Sequence, residues 1–233
     1  MQLPYFFEEN IPLSGNFFLS EESSKHIVQV LRMKGGEEIN ITNGNGELLS
    51  CFITTANKIK TEVTITNRLS FPKSNQKISI AISLIKNNNR LEWFLEKATE
   101  IGVSEIIPFI SERTEKQHFN HDRMKKILVN AMLQSQQVWL PLLYEPVKFK
   151  ELIKKSPFQN KYIAHCLEGQ KKQLRHEANQ PGDQLILIGP EGDFTKGEID
   201  SAIVKNYIPV SLGDTRLRTE TAGIVAAVLF LNK

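Results

Sequence analysis

The run Leu212-Gly213-Asp214-Thr215-Arg216-Leu217-Arg218-Thr219-Glu220-Thr221-Ala222-Gly223 sets two arginines among hydroxyl and carboxyl groups directly before an apolar stretch. If that stretch is a helix, its start presents free backbone N–H groups beside positive charge, which suits an anionic or uracil-like ligand. Thr219 is also a candidate N-cap, so simple capping with solvated arginines is the plainer reading of the same residues. A second run, Gly189-Pro190-Glu191-Gly192-Asp193, has two glycines that let backbone approach a ligand and a proline that sets the entry angle. It lacks the Gly-Lys-Ser/Thr of a P-loop and the Gly-x-Gly-x-x-Gly of a dinucleotide fold, so a structural turn and a ligand loop both stay open. A third group comprises Lys86 and Arg90, then Lys97 and Glu100, then Ser111-Glu112-Arg113. Glu96 and Glu100 can instead form helix-surface pairs worth about 0.3 kcal/mol.

The elements that must position these residues change texture along the chain. From Gly15 to Leu69 the pattern is short and β-rich. Glu38–Thr42 alternates, Asn43-Gly44-Asn45-Gly46 is a turn, Leu49–Thr55 is the returning strand, and Glu62–Thr66 alternates again. One helix interrupts, with Ser20 as N-cap, Ile27, Val30 and Leu31 as its apolar stripe, and Lys34-Gly35-Gly36 as its stop. Phe71 to Gln76 breaks all periodicity, so a small β domain is expected over 1–71 and a second domain over 72–233.

Past that boundary strands alternate with helices, the mark of an α/β sheet. Ile78–Ile85 is a strand, and Leu91, Phe94, Leu95, Ala98 and Ile101 recur at helical spacing until Gly102. Glu105–Phe109 is a strand, Asp122–Val138 a helix, and Phe149–Lys155 a short helix. Tyr162–Cys166 and Leu185–Ile188 are apolar runs of the kind buried on both faces of a parallel sheet. Thr195-x-x-Glu198 is a capping box, and Ile208–Leu212 is the last strand. In such sheets ligands bind beyond the carboxyl ends of the strands, where the first two runs, Ser111–Arg113, and Lys86 and Arg90 fall, with Lys97 and Glu100 in the helix that follows Lys86.

Composition narrows the classes without choosing among them. Of 233 residues 40% are hydrophobic and 24% charged, an ordinary globular balance. The longest apolar run, Ile224–Leu231, is far short of the ~20 residues that span a bilayer, and the start of the chain reads as no signal peptide, so a soluble cytoplasmic protein is expected. Residues 1–72 hold 6 Lys and Arg against 8 Asp and Glu, and residues 73–233 hold 23 against 18, a mild bias that permits a polyanionic partner. Cys51 and Cys166 read as small buried hydrophobes rather than a disulfide or a reactive thiol. The five histidines have no metal-ligand spacing, so no metal site is expected.

Taken together, Leu84 to Arg113, Ile188 to Glu198, Leu212 to Ala222 and His26-Ile27-Val28-Gln29-Val30-Leu31-Arg32-Met33 resemble the RsmE-type 16S ribosomal RNA (uracil-N3) methyltransferases of the SPOUT superfamily. The resemblance runs from residue 3 onward in matching order, and Gly189-Pro190-Glu191-Gly192 with Leu217-Arg218-Thr219-Glu220-Thr221-Ala222 are its most specific pieces. It implies a PUA-like β domain that binds RNA, an α/β SPOUT domain with a deep trefoil knot, S-adenosylmethionine as methyl donor, a homodimer, and the small ribosomal subunit or its RNA as partner. The sequence departs from the pattern at Leu133 and Gln137, where the family has an acid and an arginine, and at Tyr5, where a basic residue is common.

The resemblance assigns the cofactor to Ile188, Gly189, Pro190, Glu191, Gly192, Leu212, Gly213, Leu217, Thr221 and Ala222. Arg218 becomes the candidate for stabilising charge on the base and Glu220 the candidate for positioning or proton transfer, with no covalent cysteine needed. RNA falls to Arg32, Lys34, Lys86, Arg90 and Arg113, although Arg32 could instead complement a helix dipole. Two alternatives stand beside this: a non-catalytic RNA-binding or assembly protein, and an enzyme acting on the ribose 2′-hydroxyl. The apolar stretch Thr221–Leu231 is hydrophobic on nearly every side, which is the sequence's own argument for a dimer.

Overall fold

The computed structural model describes residues 3–154 and 156–231. The chain divides into two compact units, one of residues 1–73 with 132–140, the other of 74–131 with 141–233.

The first unit begins with β1 (Tyr5–Phe7), β2 (Asn16–Phe18) and α1 (Glu21–Lys25), followed by β3 (Glu38–Thr42), β4 (Glu47–Thr55) and β5 (Glu62–Ser70). They form a five-stranded sheet in the order β1-β3-β4-β5-β2, antiparallel except for β1 against β3. Two register shifts along β4 and β5 bend the sheet around a core that includes Phe6, Ile27, Ile41, Leu49, Cys51 and Val63. Ser20 caps α1 through its hydroxyl, which accepts from Ser23 N, as expected from sequence.

The helix does not run on to Lys34. From His26 to Val30 it widens into a π-helical turn, Leu31 N bonds His26 O, and Arg32 takes a left-handed φ of 56°. The 3.6-residue spacing therefore fails there. Of the expected stripe only Ile27 is buried, and Val30 and Leu31 are 67% and 41% exposed.

The turn at Asn43–Gly46 forms with Asn45 N bonded to Asn43 Oδ1 and with Gly44 and Gly46 at positive φ. Its backbone also pairs with the later segment, Gly46 N to Val138 O and Leu140 N to Gly44 O, both at 2.8 Å. That pairing corrects the expected helix Asp122–Val138: residues 138–140 are extended against the turn, and the helix stops at Gln134.

The second unit continues with β6 (Ile78–Ser83), α2 (Asn88–Ile101), β7 (Glu105–Ile110), α3 (His121–Gln134, whose residues from Met132 on belong to the first unit), β8 (Leu142–Leu143), β9 (Val147–Lys148) and α4 (Phe149–Lys154). Lys155, expected to end the last of these helices, lies outside the described residues. Then come β10 (Asn160–Ala164), β11 (Lys172–Gln173), α5 (Leu174–Glu177), β12 (Gln184–Ile188), α6 (Lys196–Val204), β13 (Ile208–Ser211) and α7 (Thr219–Leu231). The sheet order is β11-β13-β10-β12-β6-β7-β8, with β9 also on β7, and every pairing is parallel. All carboxyl ends therefore share one edge.

Every residue of β6 and β12 is buried, which explains why they read as continuous apolar runs. Gly102 ends α2 at a left-handed φ of 97°, as its position predicts. Phe194 sits at 0% exposure, stacked on Phe109 at 6.0 Å and tilted against Phe149 at 5.6 Å. These rings anchor the chain just after β12. On the other face Gly223 of α7 lies so close to Phe94 of α2 that a Cβ added there would stand 2.5 Å from the ring.

Candidate functional site

Three loops leave the carboxyl ends of β10, β12 and β13 and enclose a cavity of about 730 Å³. That volume lies within the range of small-molecule sites. The loop after β12 forms one wall. Gly189 packs tightly there, because a Cβ would press to 3.0 Å from the Phe194 ring. Asp193 N bonds Pro190 O at 2.9 Å to close a turn, and Asp193 itself, not a glycine, takes the left-handed φ of 60°. Its carboxylate accepts from Cys166 N and Phe194 N, both at 2.8 Å, tying the loop after β12 to the one after β10.

The loop after β13 makes the opposite wall. Ser211 Oγ accepts from Gly213 N and donates to Gly213 O, bending the chain on leaving the strand. α7 starts at Thr219, and Arg218 O accepts the first helical bond from Ala222 N at 2.7 Å. The capping position thus falls on Arg218, one residue before the expected Thr219. Arg218 and Arg216 are exposed and both line the cavity.

Of the ten residues assigned to the cofactor, Ile188, Gly189, Pro190, Glu191, Leu212, Gly213, Leu217 and Ala222 line the cavity, and Gly192 and Thr221 do not. Gly192 faces outward: a Cβ on it would lie 3.5 Å from Arg113 Cβ and Cδ. Glu220 also lies off the lining. Its side chain is 9% exposed, Oε1 is 3.6 Å from Arg90 Nε, and Oε2 is buried without a hydrogen-bond partner among the described residues. Lys86 pairs with Glu115 at 2.6 Å, and Arg113 Nη1 donates to Gly192 O at 2.7 Å. Arg32 and Lys34 lie exposed in the first unit. Leu133 and Gln137 belong to the 132–140 segment and do not line the cavity.

His165, Cys166 and Lys171 line the cavity, although the sequence assigned none of them to the site. The first two directly follow a parallel strand, so the rule that ligands sit at carboxyl ends could have found them. Lys171 had no sequence signal; Nζ donates to His165 O and Leu167 O. Burial, with Lys171 nearby, lowers the pKa of His165, and its Nδ1 is buried without a partner among the described residues. Cys166 is exposed, which corrects the expectation of two buried cysteines, whereas burial of Cys51 pushes its thiol up to about 12. Among the described residues no His, Cys, Asp and Glu cluster could hold a metal, and no helix is long and apolar enough to cross a membrane.

The RNA methyltransferase domain family matches residues 72–231, and the RNA methyltransferase PUA domain family matches residues 19–66. The chain belongs to the RNA methyltransferase family. A ribosomal RNA small subunit methyltransferase E from Rickettsia conorii is 29% identical over 213 residues, covering 89% of this chain and 85% of its own. The crystal structure of a probable rRNA-methyltransferase from Porphyromonas gingivalis superposes with a TM-score of 0.90 at 36% identity, covering 97% of this chain and 95% of that one. A ribosomal RNA small subunit methyltransferase E from Neisseria gonorrhoeae, solved bound to S-adenosylmethionine, gives a TM-score of 0.85 at 26% identity, with 97% and 96% covered.

The cavity fits that donor on its own chemistry. Ile188, Val210, Leu212, Leu217 and Ala222 offer apolar surface for an adenine, and Glu191 and Asp214 offer negative charge for a sulfonium and an ammonium.

Proposed function

We propose that this protein is an S-adenosylmethionine-dependent methyltransferase that methylates N3 of a uridine in small-subunit (16S) ribosomal RNA in the cytoplasm. The observation that carries the reading is the cavity at the carboxyl ends of β10, β12 and β13, walled by the two motifs that define the resemblance. Bound there, S-adenosylmethionine supplies an electrophilic methyl group. Ile188, Gly189, Pro190, Glu191, Leu212, Gly213, Leu217 and Ala222 would hold it, and Gly192 and Thr221 lie off the lining.

Alkylation of uracil N3 requires loss of its proton, which passes to water, and negative charge then spreads onto O2 and O4 until the methyl group is received at N3. Arg218, exposed at the cavity and placed at the start of α7, is the group suited to receive that charge through a planar fork of donors. Glu220 sits behind the wall against Arg90, a placement that favours its positioning role over direct proton transfer. Arg32 and Lys34 of the first unit, and Lys86 and Arg90 of the second, are the proposed phosphate contacts.

The half-buried face of α7, with Ile224, Val225, Val228 and Leu229, supports a homodimer, and the resemblance supports a trefoil knot in the second unit. Nucleoside mass spectrometry of small-subunit RNA incubated with protein and S-adenosylmethionine tests the reading. Protein-dependent 3-methyluridine is expected. 2′-O-methyluridine would move the chemistry to the ribose, and no methylated nucleoside would leave an RNA-binding protein.

A further inference from the structure

Glu198 is 7% exposed although it carries a carboxylate, and its partners explain why. Oε2 accepts from Thr195 N at 2.9 Å while Thr195 Oγ1 accepts from Glu198 N at 3.3 Å, the capping box of α6. That box uses one carboxylate oxygen. The other, Oε1, accepts at 2.9 Å from the backbone N–H of Glu112, in the turn after β7. The same turn returns two bonds: Thr195 Oγ1 donates to Glu112 Oε2 at 3.2 Å, and Arg113 Nη1 donates to Gly192 O at 2.7 Å. The turn is itself fixed by buried hydroxyls, with Thr114 Oγ1 2.8 Å from Ser83 Oγ and 2.9 Å from Ser111 Oγ.

The sheet order β12-β6-β7 sets these two turns on either side of β6. The loop after β6 joins them, Lys86 N donating to Glu191 Oε1 at 3.1 Å. The loop from Gly189 to Thr195 is thus gripped from outside by residues that do not themselves line the cavity, Arg113 at Gly192 O and Glu112 and Glu198 at Thr195.

We propose that Arg113 and Glu198 are positioning residues for S-adenosylmethionine, forming a latch in which Glu198 holds the backbone of Glu112, and the adjacent Arg113 holds Gly192 O and with it the Gly189–Asp193 wall in its binding shape. The proposal rests on reading the cavity as the cofactor site, and it moves Arg113 from RNA contact to loop support. A peptide whose carbonyl is held by a guanidinium cannot rotate without breaking a charge-assisted bond, so the wall is pre-organised before the ligand arrives.

The test is calorimetric titration of the full-length protein with S-adenosylmethionine, alongside steady-state methylation and RNA binding at several salt concentrations. Arg113→Ala is expected to raise both Kd and KM for S-adenosylmethionine about tenfold or more. Turnover at saturating cofactor, RNA affinity and its salt slope stay near the parent values. Arg113→Lys, which still presents a cationic donor, recovers most of the loss. Glu198→Gln can still cap α6 but keeps one acceptor oxygen for two tasks, so it weakens cofactor binding several-fold with little change in melting temperature. Unchanged cofactor affinity in Arg113→Ala overturns the latch. So does a loss confined to RNA affinity with a shallower salt slope, which would return Arg113 to the phosphates. If the unaltered protein binds no S-adenosylmethionine, the cofactor reading itself fails and takes the latch with it.

Discussion

Arg218 and Cys166 border one cavity in different ways, and each yields a measurement. The Arg218 guanidinium is exposed while its carbonyl is committed to the first bond of α7, so the backbone fixes where the side chain originates. If its donors meet charge that develops only as the base reacts, Arg218→Lys should lower kcat by about 10²-fold while KM and melting temperature hardly move. Steady-state methylation assays decide this, and retained turnover would shift the role to Arg216. The two cysteines should separate under alkylation. Burial holds the Cys51 thiol up to about 12, so iodoacetamide should leave it intact in the native protein, whereas exposed Cys166 reacts. Because Cys166 lines the cavity, saturating S-adenosylmethionine should slow its modification, read by peptide mass spectrometry.

At the scale of elements, the contact of α7 with α2 is set by Gly223. Alanine is the better helix former by about 1 kcal/mol, which favours the substitution in isolation. Here the new Cβ would stand 2.5 Å from the ring of Phe94, which is 0% exposed, and overpacking of that kind costs ~1–3 kcal/mol. Gly223→Ala should therefore destabilise the protein in denaturant titration. His165, at the end of β10, gives a pH dependence. Its folded pKa lies below the ordinary value of 6.5, so its stability contribution is present above about 6.5 and lost as pH falls through the folded pKa. His165→Asn should flatten that acid-side fall in melting temperature. Element types were legible beforehand because periodicity and caps are local: β3, the Gly102 stop and the Thr195 capping box stand where the residues put them. The end of α3 was not, because Val138 and Leu140 take their partners from a turn some ninety positions earlier in the chain.

For the whole molecule, the remaining apolar face of α7 and the cavity are the quantities to test. Ile224, Val225, Val228 and Leu229 stay half-buried in the single chain, so a second copy is the expected cover. Light scattering at micromolar concentration should show a dimer, and Val228→Glu should shift it toward monomer. S-adenosylmethionine at about 100 times its Kd should stabilise the fold by ~2.7 kcal/mol, visible as a rise in melting temperature.

From the sequence alone came the alternation of strands and helices, the motif loops at strand ends, and through them the family. Each depends on neighbours along the chain or on a run of residue types, which folding does not alter. Tertiary structure decided which loops share a cavity, since strand order sets β10 between β12 and β13 and so brings in His165 and Cys166. It also decided what the charged side chains do. Glu198 reads as a helix cap from its spacing, yet its second oxygen holds the N–H of Glu112, 86 positions away. Glu220, read beside Arg218 as part of the chemistry, is buried against Arg90 instead. A buried carboxylate must find a donor or a cation wherever the fold supplies one, and that partner is fixed in space, not by distance along the chain.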